Sequence, residues 1–189
     1  MIIGICGKSG SGKSTIAKEM AKRLSKGKIK AVHCDVDKIG HHVMTLKEVQ
    51  EEAIKCFGEA ILTDGQIDRK KLSELVFTSR DKMKQLTDIT WDHMQHILDE
   101  IVRDSDSSII VLDWILLSQT PYFDRCDLKI LIDVPYEIRK ARAMQRDGIT
   151  AAKFDVREQA SIDYNIEKFD LVFDNSDKFF TRKLVSDNE

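Results

Sequence analysis

A glycine-rich segment near the start of the chain has the residue types and the spacing of a phosphate-binding loop. Residues 7–14 read GKSGSGKS and match the pattern G-x-x-x-x-G-K-[ST]. The Lys13 ammonium would reach the β- and γ-phosphates, and the Ser14 hydroxyl would ligate Mg²⁺. The spacing therefore predicts a nucleoside triphosphate site. The loop residues expected to hold the nucleotide are Gly7, Lys8, Ser9, Gly10, Ser11, Gly12, Lys13, Ser14 and Thr15.

The residues on either side of this loop favour a strand before it and a helix after it. Residues 1–6 are a short apolar run, which is typical of a buried parallel strand. After the loop, apolar side chains recur on one face of a helix. They are Ile16, Ala17, Met20, Ala21 and Leu24. This order places a helix N-terminus, which attracts anions, at the loop.

Later apolar runs predict four further strands. They lie at residues 31–34, 109–112, 128–132 and 171–173, and they end at Asp35, Asp113, Asp133 and Asp174. In open α/β folds the carboxyl ends of the strands form the ligand-binding edge of the sheet. We therefore expect an α/β fold with a five-stranded parallel sheet flanked by helices.

About 70 residues separate the second and third strands, far more than one crossover helix requires. Three amphipathic helical patterns occur there, at residues 46–57, 72–76 and 83–101. Residues 62–67 have the composition of a turn. We expect a helical insertion over the carboxyl edge of the sheet, where it would enclose a second substrate.

A helix after Pro135 is expected to carry arginines on its exposed side. These are Arg139, Arg142 and Arg146. Asp147-Gly148 breaks the pattern, and Thr150 is expected to cap a second helix that runs to about Lys168. An arginine-bearing helical hairpin suits a mobile lid over transferring phosphates.

These features predict a single domain over residues 1–189. Its core is expected at residues 1–37 and 108–189, the insertion at 38–107 and the lid at about 139–160. The mixed apolar and charged residues at 176–189 favour a short terminal helix.

The phosphate loop alone does not separate kinases from GTPases, motor ATPases or binding modules. The sequence contains no guanine-reading N-K-x-D element. The third strand offers only Asp113 where a motor ATPase would usually have a carboxylate pair. Small size, the insertion and the lid favour a small-metabolite or nucleotide kinase with the P-loop NTPase kinase fold.

Three segments carry the motifs of a known family. Residues 35–41, DVDKIGH, are similar to D-A-D-x-I-a-H, and residues 57–69, FGEAILTDGQIDR, to F-G-x-x-I-x-x-x-G-x-I-D-R. Residues 142–148 match an R-x-x-x-R-D-G lid motif. On these segments the chain resembles the dephospho-CoA kinase family over roughly residues 1–176. The resemblance implies Mg²⁺-dependent transfer of the γ-phosphoryl group of ATP to the 3′-hydroxyl of dephospho-CoA.

Such a transfer needs a base at the acceptor hydroxyl and positive charge around the transferring group. Asp37 or Asp35 would supply the base, and we favour Asp37 with Asp35 as its support. Their alternation puts both on one side of an extended chain. Positive charge is expected from Lys13, Arg142 and Arg146.

The resemblance also implies contacts for other residues. Expected acceptor contacts are His41, Arg69, Phe77, Asp113 and Leu116, and Asn175 is expected at the nucleotide. Two assignments remain open, because Asp113 could belong to the metal shell instead and Arg69 could form a local ion pair with Asp68.

The chain departs from the family pattern on the acceptor side. It has Trp91-Asp92 in place of His-Pro, Ile115 in place of a proline, Gln119 in place of an acid, and Asp155 where an arginine is common. Two alternatives therefore stay open. One is a related kinase for a nucleoside monophosphate or another small metabolite, and the other is an inactive nucleotide-binding relative.

Composition limits the class of protein and its partners. The 189 residues have a net charge of −2, which gives no overall attraction to nucleic acid or to a membrane surface. No apolar run approaches the length of about 20 residues that spans a bilayer. The four cysteines are widely spaced, so neither structural zinc nor a disulfide framework is expected. With no signal peptide evident, we expect a cytoplasmic monomer or weak oligomer that acts on a small molecule.

Overall fold

The computed structural model describes residues 1–104 and 108–176. In chain order its elements are β1 (Ile2–Cys6), α1 (Lys13–Leu24), β2 (Ala31–Asp35), α2 (Val36–Val43), α3 (Lys47–Phe57), β3 (Leu62–Thr63), β4 (Gln66–Ile67), α4 (Arg69–Val76), α5 (Arg80–Asp104), β5 (Ile109–Asp113), β6 (Leu128–Asp133), α6 (Tyr136–Asp147), α7 (Ala151–Gln159) and β7 (Leu171–Asp174). Within these residues, five strands form a parallel sheet in the order β2-β5-β1-β6-β7. The predicted α/β class is confirmed. The predicted terminal helix lies outside the described residues from position 177 onward.

Strand β1 lies in the middle of the sheet because its side chains are apolar and nearly all buried. It pairs with β5 on one side and with β6 on the other. The register places Ile5 beside Asp113 and Asp113 beside Asp35. The acidic ends of β2 and β5 therefore meet at the edge from which the phosphate loop emerges.

Helix α1 begins at Lys13, directly after Gly12, whose φ of 86° lies in the left-handed region that favours glycine. Ile16, Ala17 and Ala21 are buried on the face that packs against the sheet. The packing of this face fixes the N-terminus of α1, with its unpaired N–H groups, at the carboxyl edge of the sheet.

The residues just after β2 differ from the prediction. Residues 35–37 were expected to be extended, but α2 begins at Val36. The Asp35 side chain accepts a hydrogen bond from the Lys38 N–H and so caps the helix, while Val36, Ile39 and Val43 are buried on one face. The prediction of a strand end at Asp35 is confirmed, but residues 36–37 are not extended, because Asp35 both ends β2 and caps the helix that begins at the next residue.

The rest of the insertion follows the expected pattern of helices. Helices α3, α4 and α5 cover the three predicted amphipathic segments. The predicted turn at 62–67 is the tip of a hairpin, in which β3 pairs antiparallel with β4. Asp64 and Gly65 at its tip have φ values of 52° and 76°. Ile61, Leu72 and Val76 form part of a separate small core under this hairpin.

The segment predicted to form a lid is a helical hairpin made of α6 and α7. Gly148 ends α6 with a φ of 63°, and the Thr150 side chain caps α7 as predicted. Helix α7 ends at Gln159 rather than near Lys168. A new 3-10 turn, Ile166–Lys168, starts at Asn165, whose side chain accepts from the Glu167 N–H.

Two expectations from composition can be compared with the structure. In the part of the chain that is described, no helix is both long enough and apolar enough to cross a bilayer. All four cysteines lie in that part, and each is a free thiol.

Candidate active site

A cavity of about 660 Å³ opens at the carboxyl edge of the sheet, between the phosphate loop, the insertion and the lid. Many predicted site residues line it. They are Lys8, Ser9, Gly10, Gly12, Lys13, Ser14, Thr15, Asp37, His41, Phe77, Leu116 and Arg146. Seven others do not line it: Gly7, Ser11, Asp35, Arg69, Asp113, Arg142 and Asn175. The structure thus brings the loop, the favoured base and one lid arginine to a common space.

The glycines of the loop are required by close packing. Gly10 has a φ of 81°, and a Cβ atom there would lie 2.3 Å from the Arg139 carbonyl oxygen. A Cβ atom at Gly12 would lie 2.5 Å from Nδ2 of Asn175. That amide donates to the Ser11 carbonyl at 2.8 Å. Buried Asn175 therefore supports the loop from behind instead of facing the cavity.

Lys13 reaches two carboxylates. Its Nζ lies 2.9 Å from Oδ1 of Asp113 and 3.7 Å from Oδ2 of Asp37. Asp113 is fully buried, and its second oxygen lies 3.2 Å from Nε2 of His33. Asp113 therefore faces the lysine and a histidine that carries no recognisable motif, and it does not face the cavity.

The two candidate bases have different environments. Asp37 lies in the first turn of α2, and its side chain keeps 48% of its surface exposed toward the cavity. Burial of the surrounding site nevertheless raises the pKa of its carboxyl, and the nearby Lys13 ammonium offsets part of that rise. Asp35 instead caps α2 and lies 3.8 Å from the Lys38 ammonium. The helical turn thus separates the roles of the two aspartates.

Asp147 holds the arginines of the lid that reach the cavity. Arg146 donates to its carboxylate at 2.7 and 3.0 Å, and Arg157 donates at 3.2 Å. The hydrogen bonds from Arg146, together with the charge of Arg157, hold the pKa of Asp147 below its usual value. Arg157 also lies over the Phe77 ring, 5.4 Å from its centre. Both guanidinium groups border the space where phosphates would lie.

Two other arginines of α6 occupy places that the sequence did not predict. Arg142 donates to the carbonyls of Asn175 and Ser176, at 2.9 and 3.2 Å, and lies outside the cavity lining. Arg139 was expected to be exposed, but it is buried. It forms a two-pronged ion pair with Glu158 of α7 at 2.7 and 2.8 Å. The helical pattern could not show this pairing, because the partner lies on the other helix of the hairpin.

Tyr164 also contacts the loop without any motif in the sequence. The Gly7 N–H donates to its hydroxyl at 3.2 Å, and the hydroxyl donates to the Ile115 carbonyl at 2.8 Å. Lys8 is held from the same side by Glu158 and Asp163 at 3.3 and 3.2 Å. These contacts connect the loop to the segment that follows α7.

On the side of the insertion, the cavity continues into an apolar pocket of about 240 Å³. The two spaces share Asp37, His41, Phe77, Met83, Trp114 and Leu116. Arg69 borders the second pocket, and its Nη2 lies 3.4 Å from the His41 carbonyl oxygen. Asp37, the predicted base, therefore lies where the cavity and this second pocket meet.

The phosphate loop supplies one hydroxyl that could take part in binding a metal ion. Across residues 1–104 and 108–176, no group of three or more His, Cys, Asp or Glu side chains is arranged to hold one. The Ser14 hydroxyl lines the cavity beside Lys13. This arrangement fits Mg²⁺ shared between one hydroxyl and phosphate oxygens, since Mg²⁺ usually keeps waters and binds with substrate phosphates.

A parallel sheet with this loop between β1 and α1, next to a second pocket and an arginine-bearing lid, defines a phosphate-loop kinase. A family model described as Dephospho-CoA kinase matches residues 1–180. The chain belongs to the dephospho-CoA kinase family, whose members are ATP-dependent kinases.

Individual relatives support this membership over most of the chain. A dephospho-CoA kinase of Fusobacterium nucleatum is 35% identical over 179 residues, which cover 93% of this chain and 90% of that protein. One from Aquifex aeolicus is 34% identical and covers 92% of this chain and 88% of its own. The crystal structure of TT1252 from Thermus thermophilus superposes with a TM-score of 0.75 at 25% identity, covering 100% of this chain and 98% of that one.

Proposed function

We propose that the protein transfers the γ-phosphoryl group of ATP to the 3′-hydroxyl of dephospho-CoA, giving CoA and ADP. The observation that carries this proposal is the placement of Lys13 and Asp37 at the junction of the loop cavity and the apolar pocket. Nζ of Lys13 lies 3.7 Å from Oδ2 of Asp37. A donor cation and a candidate base are thus positioned for one reaction between two substrates.

On the donor side, the loop N–H groups and the N-terminus of α1 would surround the phosphates. Lys13 would move from Asp113 to the β- and γ-oxygens and balance their negative charge. Mg²⁺, held by Ser14, waters and the phosphates, supplies further neutralisation when it is bound. Asn175 and Ser11 would act indirectly, because their contact supports the loop.

On the acceptor side, Asp37 would accept the proton of the attacking hydroxyl. The hydroxyl oxygen then forms the new bond to the γ-phosphorus as the bond to the leaving ADP oxygen breaks. The raised pKa of Asp37 suits this role, because a stronger base takes up the proton more readily. Asp35 would support the reaction by holding the start of α2.

The apolar pocket would enclose the rest of the acceptor. Phe77, Leu116 and Trp114 offer apolar surface, while His41 and Arg69 lie at its border. Arg69 is exposed in its contact with the His41 carbonyl, so its charge is available to an acceptor phosphate. We therefore assign Arg69 to the acceptor and not to an ion pair with Asp68, whose side chain caps α4.

The lid would close on the transferring group. Arg146 and Arg157 now share the single carboxylate of Asp147, so each has donors left for phosphate oxygens. Arg142 would serve the lid differently, by fixing α6 to the segment after β7. Closure would exclude water, which otherwise competes with the acceptor.

An acceptor panel tests the proposal. Purified protein with Mg-ATP is given dephospho-CoA, CMP, UMP or a nucleoside, and ADP release and product are measured. We expect the highest kcat/KM with dephospho-CoA and, by phosphorus NMR, a new phosphate on the 3′-oxygen. Faster turnover with a nucleoside monophosphate would overturn the acceptor assignment, and tight ATP binding without any product would overturn the reaction. Specific activity that does not vary with protein concentration would agree with the expected monomer, and a weak concentration dependence would agree with the expected weak oligomer. Activity in the cytoplasmic fraction would agree with the expected location.

A further inference from the structure

His33 forms a contact that the proposed reaction does not yet explain. It lies on β2, beside Val111 of β5, and its Nε2 lies 3.2 Å from Oδ2 of Asp113. The other oxygen of Asp113 lies 2.9 Å from Nζ of Lys13. The histidine and lysine side chains are 13% and 12% exposed, and Asp113 is fully buried. One buried carboxylate therefore joins the phosphate-loop lysine to the histidine.

The shared carboxylate creates a charge problem when ATP binds. Lys13 has to approach the phosphates, and this movement weakens its contact with Asp113. A buried carboxylate without a partner is strongly destabilised. Within the described part of the chain, His33 is the other partner of the Asp113 carboxylate, since it occupies the oxygen that Lys13 does not use. A donor on that oxygen also fixes the plane of the carboxylate, so that Oδ1 points at Lys13.

On the basis of the proposed function, we infer that His33 is a positioning residue for phosphoryl transfer. It orients Asp113 so that Lys13 is held at the mouth of the loop before ATP arrives. It then stabilises the Asp113 charge after Lys13 has turned toward the phosphates. His33 touches neither substrate, and its effect reaches the reaction through Asp113 and Lys13.

Two substitutions separate this role from simple packing. His33→Leu removes the donor, whereas His33→Gln keeps an N–H that can reach Asp113. For His33→Leu we expect a fall of about tenfold in kcat/KM for ATP, the scale of one hydrogen bond to a charged group. The KM for the acceptor should stay within about twofold, and His33→Gln should recover most of the loss. His96→Leu, at an exposed position of α5, is the matched control and should behave like the wild type.

A double-mutant cycle tests the route through Asp113. In an Asp113→Asn background, His33→Leu should add less than about a twofold further loss, because its partner charge is gone. Independent effects of the two substitutions would overturn the inference, as would a glutamine variant as slow as the leucine variant. Direct ATP titration keeps the test informative if the acceptor proves to be a different molecule. Wild-type ATP affinity in His33→Leu, with normal turnover on whichever acceptor is used, would also overturn it.

Discussion

Trp91 of α5 and Trp114, directly after β5, stack with their ring planes 6° apart and their centres 5.9 Å apart. Trp91 replaces a histidine of the family pattern, and Trp114 lies between Asp113 and the position where the pattern has proline. Trp114 is almost fully buried and lines both the cavity and the apolar pocket. The departure at Trp91 thus packs against the residue next to a second departure, Ile115, in one aromatic layer, which forms part of the proposed acceptor side.

This stacking predicts a selective optical signal. The chain contains two tryptophans, and both belong to the layer, so intrinsic fluorescence reports on the acceptor side. We expect dephospho-CoA to change the emission in a saturable way, whereas ATP alone changes it much less. A titration of each ligand, corrected for absorption by adenine, measures the difference. Equal responses to the two ligands would contradict the placement of the acceptor beside Trp114.

Replacing a tryptophan of this layer should weaken binding of the acceptor and leave binding of ATP nearly unchanged. For Trp114→Leu we expect the acceptor KM to rise by about tenfold, since loss of apolar contact worth about 1.4 kcal/mol has this effect. The KM for ATP should change by less than about twofold. Trp91→Phe keeps an aromatic partner and serves as the matched control with a smaller effect. Steady-state kinetics with each substrate varied in turn will show whether the loss is confined to the acceptor.

Lys13→Ala should abolish turnover and weaken ATP binding, because it removes the charge expected at the β- and γ-oxygens. It should also leave the buried Asp113 with His33 as its partner. Calorimetric titration with Mg-ATP and a coupled ADP assay measure the two effects. Lys18→Ala, at an exposed position one turn along α1, is the control. Substantial turnover in Lys13→Ala would mean that the loop does not act on the γ-phosphate.

Asp37→Asn should lower kcat by at least about a hundredfold while ATP binding stays nearly intact. The acid limb of the wild-type pH profile should lie above the ordinary aspartate pKa of about 3.9, because burial raises the pKa of Asp37. Asp35→Asn retains a capping side chain and is the matched control. If kcat of Asp37→Asn is close to that of the wild type, the base lies elsewhere, and Asp35 is the next candidate.

The buried pair of Arg139 and Glu158 should matter for stability. Arg139→Met should lower the free energy of unfolding by about 2 kcal/mol, less than for a fully buried pair because Glu158 keeps some exposure and its contact with Lys8. Thermal unfolding would then shift by about 5 °C for a chain of this size. Arg142→Met, whose guanidinium contacts only carbonyls among the described residues, should cost less.

The same pair predicts how stability changes with pH. Burial alone would raise the pKa of Glu158, but Arg139 and Lys8 hold it below its usual value. The stabilisation is therefore complete above the unfolded pKa of about 4.3 and is lost as pH falls through the lower folded value. Unfolding curves of Arg139→Met should therefore show a smaller loss of stability than the wild type as pH falls below about 4.3. An identical acid dependence in the two proteins would contradict this account.

Local patterns in the sequence were enough to predict the strands of the sheet and the phosphate loop. Apolar runs that end in aspartate identified the strands, and the spacing of residues 7–14 identified the loop. Helix α2 was missed, because an aspartate at the end of a strand does not show that its side chain also caps a helix beginning at the next residue. The pairs Arg139–Glu158 and His33–Asp113 could not be predicted, since their members are distant in the chain and are joined only by tertiary packing.

The position of β1 has a consequence for the way the chain is made. Its Ile3 lies beside Val111 of β5 and Leu128 of β6, while the whole insertion is synthesised between β2 and β5. A growing chain therefore carries an apolar strand whose neighbours do not yet exist. Such distant pairings slow folding, and they leave unpaired, aggregation-prone strand edges exposed for longer. The phosphate loop is therefore synthesised before β5 and β6, yet the site that it forms can assemble only after those strands have followed.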